Sequence, residues 1–358
     1  MVTISRKIRT PIVRVAIIGT GGMAHSHVRL FRAVPGCRLV AAVDVDRERA
    51  RAFAKEHGIT RAFGSLDELL NEAEFDAIAI VTPDASHARL TIQCLKAGKH
   101  VLCEKPLAIG YPDARRMVAA AKKAGTVNMV NFSYRNWSAI QGVAAIVAAG
   151  KLGEIRHVEA SYLQSWLSSQ VWGDWRTTPA WLWRLSQKHG SQGVLGDIGV
   201  HIFDFATFPA GPLRTVQCRL KTFAKAPGNR VGIYDLDAND SAVASVEFAS
   251  GAIGTIHTTR WACGHVNRLF LKISGTLGGV EIDSERSTDS YRICSGADLH
   301  KAHWREVKVK PTPTNHARFI RSIRTGNPVQ PDFMQGAAIQ KIVDACFASD
   351  SLGVAVRV

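Results

Sequence analysis

The chain has 358 residues, is 46% hydrophobic and 21% charged, and carries 45 Lys and Arg against 30 Asp and Glu, a formal net charge of +15. This composition excludes an extended disordered chain, and the length suits two domains. No apolar run is long enough to span a bilayer, so no membrane partner is expected.

The opening "MVTISRKIRTPIVRV" has no apolar core of a secretory leader, and its first ten residues read as a short basic arm. Val15 to Ile18 then forms an apolar run suited to a buried strand. Gly19-Thr20-Gly21-Gly22-Met23-Ala24 follows and leads into a helical pattern. In such a G-x-G-x-x-A turn Gly19 permits the tight bend, Gly21 admits a pyrophosphate to the backbone, and Ala24 lets helix and strand approach. The helix start offers N–H groups and a positive dipole end to phosphate. A second apolar run, "RLVAAVDVD", places Asp44 where an acid accepts hydrogen bonds from ribose hydroxyls and repels a 2′-phosphate, which favours NAD over NADP. Arg47 and Arg49 lie close enough to blur that preference.

Strand and helix patterns keep alternating: "FDAIAIVTP", "HARLTIQCLKAG", "KHVLCEKP", "YPDARRMVAAAKKAG" and "TVNMVNFSYR". Alternation of this kind predicts a doubly wound parallel sheet whose ligands sit beyond the carboxyl ends of its strands. The candidate cofactor contacts are therefore Gly19, Gly21, Gly22, Met23, Asp44, Thr82, Pro83, His87, Glu104 and Lys105. The domain is expected over 11–133. From 134 to 358 the pattern changes to alternating apolar and polar residues, as in "EIRHVEASYLQS", "LRTVQCRLKTF", "DSAVASVEFA", "AIGTIHTTRWA", "NRLFLKISG" and "WREVKVK". These predict an open, mainly antiparallel sheet with one covered face. Two helical patterns close the chain, and the one over 332–350 can pack on the sheet or back on the first domain.

Between the first two of these strands lies "GVLGDIGVHIFDF", where Asp197, His201 and Asp204 share one helical face inside an apolar run. Such a face is wet, metal-bound or catalytic. A metal site needs further facing ligands, and no H-E-x-x-H or comparable spacing supplies them, so no metal is expected. The seven cysteines (37, 94, 103, 218, 263, 294, 346) contain no CxxC pair, which predicts a reduced, cytoplasmic protein. The basic residues are dispersed, and the densest run, "DRERARAFAK", mixes in acids, so nucleic acid is not an expected partner. An anionic substrate remains open.

The turn at Gly19–Ala24, "TPDASHA" at Thr82–Ala88, "AGKHVLCEKPLA" at Ala97–Ala108 and "GDIGVHIFD" at Gly196–Asp204 resemble the glucose-fructose oxidoreductase, inositol dehydrogenase and MocA-like (Gfo/Idh/MocA) oxidoreductases along nearly the whole chain. The resemblance implies a Rossmann domain and a C-terminal α/β domain, NAD(P), oxidation of a sugar or cyclic polyol hydroxyl, and homodimers or homotetramers formed through the open sheets. It carries the catalytic roles onto Lys105, Asp197 and His201. The loop "HGSQGVLGD" departs from the family's glycine-rich stretch at Ser191 and Gln192.

Oxidising a secondary alcohol removes a hydride from carbon and a proton from oxygen. An imidazole titrates near working pH and suits His201 to the proton; the ammonium of Lys105 suits the developing alkoxide. Indoles pack on the apolar faces of sugar rings, which makes Trp175-Arg176 and Trp183-Arg184 candidates for the substrate wall, with Tyr134, Arg135 and Gln164 as further contacts. Two alternatives use the same platform. One is a glycosidase that oxidises transiently. The other is a cofactor-sensing regulator, which should lack the lysine or the histidine that this chain keeps.

Overall fold

The computed structural model describes residues 11–358, and the basic arm expected before them lies outside those residues. Two compact units divide the described chain. The first runs to Leu107 and includes Arg115–Asn131 and Pro313–Gln335; the second takes Ala108–Ala114, Phe132–Thr312 and Gly336–Val358.

In the first unit the apolar runs become short parallel strands buried on both faces. The order along the chain is β1 (Val13–Ile18), α1 (Gly22–Arg32), β2 (Cys37–Val43), α2 (Arg47–Glu56), β3 (Arg61–Phe63), α3 (Leu66–Glu72), β4 (Ala77–Ile80), α4 (His87–Lys96), β5 (His100–Cys103), α5 (Tyr111–Ala124) and β6 (Asn128–Val130). All pairs are parallel, in the order β3-β2-β1-β4-β5-β6. The order reverses between β1 and β4, so Gly19 and Thr82 follow the two strands that flank the switch point, where such sheets bind ligands. β3 and α3 carry too little apolar sequence to stand out. Asp46 and Ser65 start α2 and α3 by accepting the N–H groups of Arg49 and Glu68. Val15, Ile17, Val28, Phe31 and Leu102 form one core with Phe319 and Ile320 of the helix Asn315–Thr325.

The second unit is built on a nine-stranded sheet: β7 (Ile155–Gln164), β8 (Leu213–Lys221), β9 (Ser241–Phe248), β10 (Ile253–Thr259), β11 (Asn267–Gly275), β12 (Gly278–Asp283), β13 (Ser290–Ser295), β14 (Arg305–Lys308) and β15 (Val356–Arg357). Their order is β14-β13-β12-β11-β7-β10-β9-β8-β15, antiparallel except for β7 with β10. Burial alternates along β9 and β10, as a half-covered sheet requires. Two helices, α6 (Ser138–Ala148) and α7 (Val200–Ala210), pack on each other and on the sheet. Nearly every residue of α7 is buried, its apolar side chains together with His201, Asp204 and Thr207. Val243 and Ile253 are exposed. The chain from Gly336, most of the helix Phe333–Leu352, lies in this unit, where Ser349 and Asp350 accept the N–H groups of Cys218 and Leu220.

Candidate functional site

Gly19 follows β1 with φ +89, and a Cβ there would lie 2.6 Å from the carbonyl oxygen of Val81, so only glycine fits. At Gly21 and Gly22 an added Cβ meets nothing within 4 Å, and no side chain caps the start of α1. That open helix N-terminus is a cradle for phosphate. Met23 beside it is exposed. Asp44 follows β2. One of its oxygens accepts the Thr20 N–H (2.9 Å) and hydroxyl (2.8 Å); the other accepts the Asp46 N–H (3.1 Å) and the Arg49 guanidinium (2.5 Å). Burial alone would raise this carboxyl, but those bonds hold it at about 2. The glycine turn, the uncapped helix and the ionised acid fit a dinucleotide.

Beyond β4 and β5 two buried networks fix the backbone. His87 is fully buried and has Nδ1 2.8 Å from the Pro106 carbonyl and Nε2 2.9 Å from the Thr82 carbonyl. Both partners can only accept, so the ring donates twice and is cationic. Burial opposes that charge; Cys103, Asp84 and the Pro106 carbonyl outweigh it and push the imidazole up to about 10. The Ser86 hydroxyl donates to the Pro83 carbonyl and lies 2.6 Å from Thr82 Oγ1, whose own proton it can accept. His87 thus acts as a brace between two strand ends rather than as a group presented to solvent. The peptide Lys105–Pro106 is cis.

Glu104 is also buried. It accepts His27 Nε2 (2.8 Å), Asn131 Nδ2 (2.6 Å) and the Lys105 backbone N–H (3.1 Å). His27 Nδ1 lies 3.0 Å from His316 Nε2. A carboxylate only accepts, so Nε2 of His27 carries a proton. Burial and His27 push His316 down to about 3, which keeps that ring neutral. Burial would raise Glu104, but His27, Asn131 and Lys105 hold it at about 2.

In the second unit Asp197 lies on a π turn, Leu195–Gly199, which runs directly into α7 with His201 and Asp204. A uniform α-helical face was expected; the wider turn instead sets Asp197 on a local irregularity of a kind often found at functional sites. Asp197 Oδ2 accepts Nη2 of Arg260 at 3.0 Å and lies 3.8 Å from Nε of Arg184. Arg260 is fully buried, and burial lowers its pKa against the pull of Asp197 and Asp240. The carboxylate of Asp197 therefore balances a charge that has no access to water.

The ring of His201 is buried, edge-on to Tyr134 at 4.7 Å between centroids and 6.3 Å from Tyr162. Tyr162 donates to Asn267 Oδ1 (2.8 Å), so its oxygen takes the proton of the Tyr134 hydroxyl against it. Gln164 donates to Asn267 Oδ1 (2.9 Å) and accepts from Trp166 Nε1 (3.1 Å). Burial, reinforced by Tyr134 and Asp197, raises Tyr162 well above the usual phenol range.

The second unit thus brings Asp197, His201, Tyr134 and Gln164 together with Tyr162, Asn267 and Arg260, which the sequence did not single out. Their signal was position alone: Tyr162 lies near the end of β7, Arg260 follows β10 and Asn267 starts β11, where these strands meet at one end of the sheet. Two expected substrate contacts lie elsewhere. Trp175 is 2% exposed inside an apolar cluster with Trp166, Leu182, Leu185 and Leu236, so its ring faces core rather than ligand. Arg135 is buried on a short 3₁₀ turn, Ser133–Asn136, rather than at a strand end, and donates twice to Asp204 at 2.8 and 2.6 Å. Arg176 pairs with Asp174, while Arg184 lies over the rings of Trp181 and Trp183.

The sequence profile described as "Oxidoreductase family, NAD-binding Rossmann fold" (GFO_IDH_MocA) matches residues 13–132, and the "GFO/IDH/MocA C-terminal domain" profile matches 140–281. The chain is similar to a 1,5-anhydro-D-fructose reductase of Ensifer adhaerens, 32% identical over 70% of this chain and 71% of that protein. It is also similar to a levoglucosan dehydrogenase of Pseudarthrobacter phenanthrenivorans, 26% identical over 94% and 96% of the two. Among solved structures, a levoglucosan dehydrogenase in complex with NADH and L-sorbose superposes with a TM-score of 0.87 at 26% identity, covering 97% of this chain and 99% of that one. An oxidoreductase domain protein from Kribbella flavida gives 0.86 at 30% identity over the same shares.

Proposed function

The chain belongs to the NAD-binding Gfo/Idh/MocA oxidoreductase family, and on that premise we propose that it oxidises a secondary hydroxyl, or reduces the matching ketone, on a cyclic sugar, anhydrosugar or polyol. The observation that carries this reading is the nucleotide cradle: Gly19 with no room for a side chain, open space over Gly21 and Gly22 at an uncapped helix start, and ionised Asp44 after the next strand. Gly19, Gly21, Gly22 and Met23 would hold the pyrophosphate, Asp44 the ribose, and Thr82, Pro83 and Glu104–Lys105 the strand ends beyond it. NAD, when bound, supplies the hydride acceptor, and its reduced form the donor.

The chain's own groups manage the oxygen and its proton. His201 takes the hydroxyl proton and returns it in the reverse direction. The Lys105 ammonium donates to the oxygen as negative charge builds on it. Asp197 orients substrate hydroxyls while it keeps the Arg260 charge balanced. Gln164 and Tyr134 add polar contacts, and Trp183 with Arg184 borders the ring.

We also propose a cytoplasmic homodimer or homotetramer. All seven cysteines are free thiols, and no helix among the described residues is long and apolar enough to cross a membrane. The exposed Val243 and Ile253 on the second sheet suit a further copy of the chain. The test is a panel of sugars, anhydrosugars and inositols with NAD⁺ and NADP⁺, followed by absorbance of the reduced cofactor. Substrate-dependent reduction of NAD⁺ supports the proposal. Release of a leaving group with no net NADH would favour the transient-oxidation alternative and overturn it.

A further inference from the structure

Outside the cradle, the first unit gathers three metal-ligating groups that the proposed reaction does not use. His25 lies on α1, Glu56 is the last residue of α2, and His57 caps that helix. His25 Nδ1 is 2.8 Å from His57 Nε2, and Glu56 Oε1 is 3.4 Å from the first and 3.5 Å from the second. No other group of three or more such donors converges among the described residues. Phe53 packs edge-on against both rings, with centroids 5.1 and 4.5 Å away, and a guanidinium N–H of Arg32 is bonded to the His57 carbonyl. The rings are thus held by packing, while 44% of the His25 side chain and 60% of the Glu56 side chain remain open to solvent.

We propose that His25, Glu56 and His57 form a binding site for a borderline divalent transition-metal ion of the Zn²⁺ type. A tetrahedral ion with bonds of about 2.0–2.2 Å sets its ligand atoms about 3.3–3.5 Å apart. Two of the three separations already have that value. The third is a hydrogen bond between two imidazoles; it opens by about half an ångström when the shared proton leaves and each bare nitrogen turns to the ion. Two imidazoles and one carboxylate suit Zn²⁺, Co²⁺ or Ni²⁺ better than Ca²⁺ or Mg²⁺, which prefer oxygen. The backbone points the same way. Glu56 sits at the carboxyl end of a ten-residue helix, where the dipole disfavours an anion and favours a cation. The site's solvent side leaves the remaining position to water, and an ion there would clip the helix that begins at the nucleotide cradle to the end of the next helix.

The test is a Co²⁺ titration of the chelator-stripped full chain, read by visible d–d absorption, with equilibrium dialysis against Zn²⁺ alone as the second measure. Wild type should bind one more equivalent than His25→Ala, with the cobalt bands of a nitrogen- and oxygen-ligated ion. Glu56→Gln should weaken that equivalent at least tenfold. His57→Asn serves as a third variant, and NADH fluorescence titration of each confirms that the domain is folded. Equal stoichiometry and affinity in wild type and in the folded His25→Ala and Glu56→Gln variants, or no saturable equivalent in wild type, would overturn the site. Neither result depends on which sugar the enzyme turns over.

Discussion

Replacing Glu104 by glutamine tests whether the strand end that carries Lys105 is held by a buried anion. The carboxylate accepts from His27, Asn131 and the Lys105 N–H, and its pKa falls from an ordinary 4.5 to about 2 although burial pushes the other way. For a group whose folded value is depressed, the stabilisation is complete above the unfolded pKa and is lost as pH falls through the folded one. A difference of about 2.5 pK units corresponds to roughly 3 kcal/mol at neutral pH. In Glu104→Gln one oxygen becomes an amide NH₂, and either position it takes faces a donor: the Lys105 N–H on one side, His27 and Asn131 on the other. The expected loss is therefore about 3 kcal/mol, at the lower edge of what breaking a buried charged network costs. For a domain of this size that is a fall in melting temperature of roughly 6–12 °C. Calorimetry of both proteins at pH 7 and at pH 3 measures it. The gap should be full at pH 7 and narrower at pH 3, where unfolded wild type has regained its proton. Equal stability at pH 7, or a gap that acid leaves unchanged, would refute the assignment of Glu104 as the anionic centre of the network.

Three further outcomes are expected. Lys105→Ala and His201→Ala should each lower turnover by about 10²–10⁴-fold while NADH binding, followed by fluorescence, survives; wild-type turnover in either removes that residue from the chemistry. Asp44→Ala should weaken NAD⁺ and shift the NAD⁺/NADP⁺ ratio of kcat/KM towards NADP⁺, because Arg49 loses its carboxylate partner and faces the 2′ position; an unchanged ratio rejects the ribose contact. His87→Leu should cost about 1–3 kcal/mol in urea unfolding at pH 7, since the buried Pro106 carbonyl loses its donor while that of Thr82 is only part-buried. Because the imidazole is raised to about 10, its contribution is complete below about 6.5 and declines as pH rises through 10, so the gap to wild type should shrink in alkali.

The parts of this protein that were legible in its sequence are those whose partners are near in the chain. The glycine turn, the acid after β2 and the strand-helix alternation each depend on spacings of a few to about twenty residues, and the described fold contains them. The apolar run around Asp197 announced a buried helix, yet over a single turn an apolar pattern cannot separate α from π winding, and the irregularity is set by what the turn packs against.

Side-chain roles in the candidate site depended on distant partners. Arg135 reads as available to substrate, yet its Nε and Nη2 donate to Asp204, 69 residues on. Asp197 meets Arg260 across 63 residues, and His316 reaches His27 across 289. A tryptophan-rich segment likewise offers rings equally fit for a sugar or for a core, and only enclosure by Leu182, Leu185 and Leu236 decides for Trp175. His25, Glu56 and His57 likewise follow no short ligand spacing, because His25 stands on α1 and the other two at the end of α2. Long-range polar pairs of this kind also limit which substitutions the site tolerates. Exchanging Asp197 for a neutral residue removes the proposed substrate contact and, in the same step, the carboxylate paired with the fully buried guanidinium of Arg260, so a loss of activity there must be read alongside stability before it counts as chemistry.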